Sequence, residues 1–210
     1  VVWIGTDGQG VYLYSNPLYS IKSMVLSNYT EKIERPVRAI YLDDERTFWV
    51  GTKGNGILKI YDYEFDKNIS DCRAEVLTTS NSALSSNAVY CFAKSHRNLL
   101  WIGDEEGLTY YSYREKRIKS IPIRIGNEDF KYIHDIYETA DSELWLVSVG
   151  MGVVKARIAG TPDNPVIVDA QRYIINDGEL GSNYFFTIYA ENEANLLFGN
   201  KGYGVFLSLI

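Results

Sequence analysis

The sequence predicts an all-β fold made of β-propeller blades, about four to five of them, each of four antiparallel strands. Three observations predict it. A stretch of about ten residues recurs along the chain at blade-length intervals. Between its copies lie short apolar runs and polar turns, without the amphipathic runs of ten or more residues that a helical repeat of similar period needs. The composition is 14% aromatic, with 17 Tyr and 4 Trp in 210 residues, and such bulky types pair well across many short strands.

The repeat opens as Val2-Trp3-Ile4-Gly5-Thr6-Asp7-Gly8-Gln9-Gly10-Val11 and returns as Phe48-Trp49-Val50-Gly51-Thr52-Lys53-Gly54-Asn55-Gly56-Ile57. A copy one residue shorter follows, Leu100-Trp101-Ile102-Gly103-Asp104-Glu105-Glu106-Gly107-Leu108. The fourth copy, at 144–153, carries Trp145 but has Val147 in the glycine column, and the fifth, at 196–205, has Leu197 in the Trp column. Anchors at 3, 49, 101, 145 and 197 match the period of roughly 40–50 residues typical of propeller blades.

Each unit reads as an ordered set of strands. About nine residues before an anchor, Ile40, Phe92, Ile136 or Ile188 ends a hydrophobic run assigned to the innermost strand (37–40, 89–92, 133–136 and 185–188). A polar turn, the Trp strand, a glycine turn and a third strand follow, and 74–77, 118–123 and 166–174 are candidates for the outer strand. Near-continuous hydrophobicity fits strands covered on both faces by neighbouring blades. Gly8 with Gly10, and Gly54 with Gly56, are expected at two-residue hairpin turns, where φ > 0 is required. The Trp column is expected to wedge between blades. Residues 1–5 read as a core strand rather than a leader, and the first and last units each lack a strand. The sequence is therefore expected to be a piece of a larger propeller.

A net charge of −6 argues against a nucleic-acid surface. Cys72 and Cys91 belong to no CxxC or Cys/His cluster, so zinc is not expected. Cys91 reads as a small core residue and Cys72 as part of a polar loop, with a disulfide between them left open. The longest nearly apolar stretch, 144–154, is about half the length of a membrane-spanning helix.

On these residues the chain resembles the two-component regulator propeller family, whose blades carry a Leu-Trp-Ile-Gly-Thr-x-x-Gly-Gly-Leu stretch. The family's Asn-x-Val/Ile lead-in to the innermost strand is matched by Leu84-Ser85-Ser86-Asn87-Ala88-Val89, and again by Leu180-Gly181-Ser182-Asn183-Tyr184-Phe185. The resemblance covers residues 1–210 as one propeller segment. It implies the periplasmic sensor region of a Bacteroides-type hybrid two-component histidine kinase, with polysaccharide-derived oligosaccharides as ligands. Membrane attachment and homodimerisation would come through the parent protein, and no cofactor or nucleic-acid partner is implied for this segment.

No catalytic or metal-binding set stands out. Asp43-Asp44-Glu45 and Asp104-Glu105-Glu106 fall at turns and are expected to be solvated, rather than paired as in a glycosidase. Gly5-x-x-Gly8-x-Gly10 recurs once per blade and opens no helix, so it reads as a turn and not a nucleotide loop. Propeller ligands usually gather at one mouth of the channel, where the innermost strands begin. There Arg38, Tyr90, Tyr132, His134 and Tyr184 combine aromatic planes with hydrogen-bonding tips suited to a sugar ring or uronate, and they are the candidate ligand-binding residues. Packing between blades accounts for the aromatics equally well, and a packed His134 is the favoured reading of that residue. Two other functions stay open, a protein-interaction platform and, less favoured, a propeller glycosidase or lyase.

Overall fold

The computed structural model describes residues 2–6, 10–15, 20–24, 33–64, 72–174, 183–192, 195–202 and 204–209. Among them, five antiparallel sheets of three or four strands follow one another along the chain, with one small extra hairpin. Blade 1 holds β1 (Val2–Thr6), β2 (Gly10–Ser15) and β3 (Ser20–Met24). Blade 2 holds β4 (Val37–Leu42), β5 (Phe48–Thr52), β6 (Ile57–Ile60) and β7 (Ala74–Leu77). Blade 3 is β8 (Val89–Lys94), β9 (Leu99–Asp104), β10 (Leu108–Ser112) and β11 (Arg117–Ser120). The extra hairpin, β12 (Arg124–Ile125) with β13 (Glu128–Asp129), precedes blade 4. Blade 4 is β14 (Ile133–Glu138), β15 (Glu143–Ser148), β16 (Gly152–Thr161) and β17 (Asn164–Tyr173), and blade 5 is β18 (Phe185–Asn192), β19 (Asn195–Asn200) and β20 (Gly204–Leu209).

Each innermost strand packs against the next, β4 on β8, β8 on β14 and β14 on β18. The second strands of blades 2, 3 and 4 are buried almost throughout, β5 and β9 at every residue, which explains their unbroken hydrophobicity. Trp49, Trp101 and Trp145 are buried between blades as expected. The glycine two residues after the Trp is a matter of space. A Cβ on Gly103 would stand 2.5 Å from Cys91 Sγ and 2.8 Å from the Ile133 carbonyl oxygen of the next blade.

Several expectations are corrected. The glycine hairpins of blades 2 and 4 are three-residue turns, because Thr52 N–H donates to the Gly56 carbonyl and Ser148 pairs with Gly152. The shorter third copy makes a two-residue turn, with Asp104 N–H donating to the Gly107 carbonyl. Gly56 has φ +76°, while Gly8 lies outside the described residues. The outer strand of blade 3 stops at Ser120, and Ile121, Ile123 and Phe130 go into the core around the extra hairpin. Strands β16 and β17 are ten residues each, longer than the sequence pattern indicated.

The two acidic clusters are not simply solvated turns. Asp43 is buried and accepts the Trp49 indole N–H at 2.9 Å and the Thr47 N–H at 2.7 Å. Asp104 is fully buried and caps its turn, accepting from Glu106 N, Gly107 N and Ser85 Oγ. Thr52 fills the same column in blade 2 and holds its turn through Asn55 N and the Gly56 carbonyl. Cys72 and Cys91 are both buried free thiols in different core clusters, Cys72 turning its thiol inward from the loop between β6 and β7.

Candidate functional site

One irregularity repeats in four blades. Where the innermost strand pairs with the second, the register slips between Val37 and Ala39, Val89 and Cys91, Ile133 and Asp135, and Phe185 and Thr187. A bulge places one extra residue on one strand and re-aims its side chain. The extra residues are Arg38, Tyr90, His134 and Phe186, so the same device delivers one side chain per blade to the mouth where the innermost strands begin.

These side chains meet. The Tyr90 and His134 rings stack with centroids 4.3 Å apart and planes 13° from parallel. Phe186 meets His134 edge-on at 5.2 Å. Burial, with the Arg38 guanidinium second, pushes the His134 imidazole down to about 4. At neutral pH it is therefore uncharged, with one ring nitrogen donating and the other accepting. Burial also raises the Tyr90 hydroxyl, and the Glu105 carboxylate adds to this while Arg38 opposes it. The result is an aromatic platform carrying a neutral donor–acceptor ring, a phenol and a guanidinium.

Of the five residues expected from sequence, Arg38, Tyr90 and His134 gather here, and Tyr132 lies within electrostatic range of Tyr90. Tyr132 has φ +54° and Tyr184 lies in the equivalent lead-in position. Their carbonyls accept N–H groups from the hairpins of their own blades, Val149 N at 3.2 Å and Lys201 N at 3.0 Å. Both side chains are more than 40% exposed on the rim. Tyr184 has Lys201 Nζ over its ring at 5.8 Å, and no ring contact among the described residues joins it to the Tyr90–His134 stack. Phe186 was not singled out from sequence, although it stands eleven residues before its anchor, as Arg38, Tyr90 and His134 do before theirs.

The lead-in asparagines clamp the preceding blade through their carbonyls, and the Asn87 side chain also accepts Thr79 N–H at 2.9 Å. The Asn87 carbonyl accepts Gly54 N–H and Gly56 N–H from the preceding blade, and the Asn183 carbonyl accepts Gly150 N–H and Gly152 N–H in the same way. Asp135, beside the bulge, accepts Ile188 N at 2.8 Å and Thr187 Oγ1 at 3.1 Å, tying blade 4 to blade 5. These clamps tie the rim together across neighbouring blades.

The solved structures that the chain resembles agree on the architecture. No protein-family model matches the chain. Among solved structures, the chain is similar to the extracellular domain of the hybrid two-component system BT4673 from B. thetaiotaomicron. The TM-score is 0.68 at 17% identity, over 94% of this chain and 27% of that one. The corresponding domain of BT3049 from the same organism matches with TM-score 0.67 at 18% identity, over 99% of this chain and 27% of that one. Virginiamycin B lyase from Staphylococcus aureus matches with TM-score 0.60 at 15% identity, over 97% of this chain and 68% of that one. This chain thus spans about a quarter of the two-component domains, and the likeness establishes a β-propeller fold. In sequence the chain is similar to translation initiation factor 6 of Saccharolobus solfataricus, 31% identical over 140 residues, 60% of this chain and 57% of that protein. It therefore spans little more than half of that factor.

Proposed function

We propose that this chain is a ligand-sensing propeller segment of an extracytoplasmic two-component sensor, and that it detects polysaccharide-derived oligosaccharides at the bulge-lined mouth. The observation that carries this reading is the convergence of Arg38, Tyr90, His134 and Phe186 from four successive blades onto one aromatic platform. Sugar rings pack on such platforms through their apolar faces, while the phenol, the neutral imidazole and the guanidinium answer ring hydroxyls or a uronate carboxylate. The fold shared with sensor domains of B. thetaiotaomicron supports the sensing role.

A lyase reading is less well supported, because the most deeply buried acids are already engaged. Asp43 holds an indole and a backbone N–H, and Asp104 holds its own turn. A place in translation, which the partial likeness to initiation factor 6 raises, runs against the chain's charge of −6, since nucleic-acid surfaces are built from Lys and Arg. The test is a thermal-shift screen against plant and host-glycan oligosaccharides. A ligand at a hundredfold excess over its Kd stabilises the native state by about 2.7 kcal/mol, and the expected result is an upward shift confined to one glycan class. No shift across the panel would move the assignment to a protein-interaction platform.

A further inference from the structure

The cations of the chain divide by their partners. Along the blades most are matched to a carboxylate, as Lys59 is to Glu75, Arg97 to Glu138, Lys155 to Glu143 and Arg172 to Glu128. Arg73 rests on the Tyr61 ring, and Lys116 and Arg157 stand apart on blades 3 and 4. On the rim of the aromatic mouth the pattern changes. Arg35, Lys53 and Lys201 are exposed there, and among the described residues no carboxylate pairs with any of them.

Two of these are brought to one place. Lys53 N–H donates to the Pro36 carbonyl at 2.8 Å, and the Asn55 side chain accepts Glu34 N–H at 3.0 Å and Arg35 N–H at 2.9 Å. These bonds strap the lead-in of blade 2 to its own glycine hairpin, where Arg35 Cγ lies 3.5 Å from the position of a Cβ on Gly54. Arg38 follows on the bulge. Its charge acts on both the Tyr90 and the His134 ring. Blade 2 thus presents three cations on the side of the mouth next to the ring stack, and Lys201 adds a fourth on blade 5, over the Tyr184 ring.

The acids of this rim do not cancel them. Glu106 is paired with Lys131, and Glu105 accepts Ser86 Oγ. Asp104 and Asp135 are occupied by N–H and O–H donors. Glu34 is exposed beside Arg35. An excess of positive charge remains, in a chain of net charge −6. At the other end of the innermost strands the sign reverses. The β4–β5 and β14–β15 turns carry Asp43, Asp44, Glu45, Asp141 and Glu143 against Arg46, with Arg97 in the β8–β9 turn. Such a field draws an anion to the mouth and repels it from the far end.

We infer that the mouth selects an acidic saccharide, an inference that rests on the oligosaccharide reading above. An anionic group on the sugar, a uronate carboxylate or a sulfate ester, is received by Arg35, Arg38 and Lys53. The sugar ring lies on the Tyr90–His134–Phe186 platform. Guanidinium and ammonium groups hold such oxyanions through charge-assisted hydrogen bonds, roughly twice as strong as neutral ones.

The test is a calorimetric titration of the whole chain with paired oligosaccharides that differ in charge alone. Oligogalacturonates are set against their methyl esters, and sulfated galacto-oligosaccharides against the unsulfated ones. An acidic member is expected to bind about tenfold or more tighter than its neutral partner, with the advantage shrinking as salt is raised. The pair that shows it names the anionic group. Arg35→Gln combined with Lys53→Gln alters exposed residues and should fold normally. It should remove most of the advantage and leave any affinity for the neutral sugar unchanged, while Lys116→Gln, at the far end, should change neither. If neutral sugars bind as tightly as acidic ones, the inference is overturned and the oligosaccharide reading stands. If acidic sugars keep their full advantage in the double variant, the anion is not held at blade 2 and the inference is again overturned. If no saccharide of either kind binds, the inference and the oligosaccharide reading fall together.

Discussion

Trp49 and Trp101 each have the indole N–H matched to a buried carboxylate, Asp43 or Glu138. Trp145 occupies the same column with its Nε1 unpaired. Replacing any of the three by Phe trims the buried wedge to a similar extent, and at Trp49 and Trp101 it also removes this bond. Trp101→Phe should cost about 1–3 kcal/mol more than Trp145→Phe, because it also takes a hydrogen bond from a buried carboxylate, which keeps its partners Ser95 and Arg97. Thermal denaturation of the two variants decides it, and equal losses would contradict the assignment. Titration gives a second residue-scale prediction. Burial pushes the Asp104 carboxyl up to about 6 from its ordinary 3.8, although its hydrogen bonds pull it down. The folded chain then holds this proton more tightly than the unfolded chain, and stability falls as pH rises from about 4 to about 6. His134 stands at about 4 against an ordinary 6.5. The unfolded chain holds that proton more tightly, and stability rises with pH over nearly the same window. The two slopes oppose each other in the wild type. Asp104→Asn should give a melting temperature that climbs more steeply over this window, and His134→Gln one that climbs less or falls. Identical profiles for the two variants would remove both assignments.

At the scale of the element, the innermost strands were legible because their apolar ends stand at a fixed offset from each Trp anchor. All four begin where the sequence places them, at Val37, Val89, Ile133 and Phe185. The bulges were not legible, because a one-residue slip leaves the hydrophobic pattern almost unchanged while turning one side chain out of it. Column counting was the available signal for Phe186, and its apolar character hid it among candidates chosen for polar tips. The acids at the turns misled for a related reason: a carboxylate beside a glycine looks solvated in sequence, whereas Asp104 is consumed by the N–H groups of its own turn. The glycine column makes the element-scale prediction. Gly103→Ala forces a Cβ against Cys91 and the Ile133 backbone, and such overpacking should cost about 1–3 kcal/mol. Chemical denaturation measures it, and an unchanged midpoint would show that blades 3 and 4 separate freely at this contact.

On the scale of the whole molecule, blade geometry and chemistry divide the labour. The turns and the buried Trp–carboxylate pairs fix the blades, and the bulges leave four unlike side chains facing one mouth. On the function proposed above, ligand recognition belongs to that mouth and the blade core is free of it. The measurement that bears most directly on this is a calorimetric titration of the oligosaccharide found by the panel into wild-type protein and Tyr90→Ala. Tyr90 is half-buried in the ring stack and outside the main core clusters, so the variant should remain folded. Loss of a stacking face and a hydroxyl is expected to weaken binding about tenfold or more. Binding unchanged in Tyr90→Ala would contradict the placement of the site at the bulge-lined mouth.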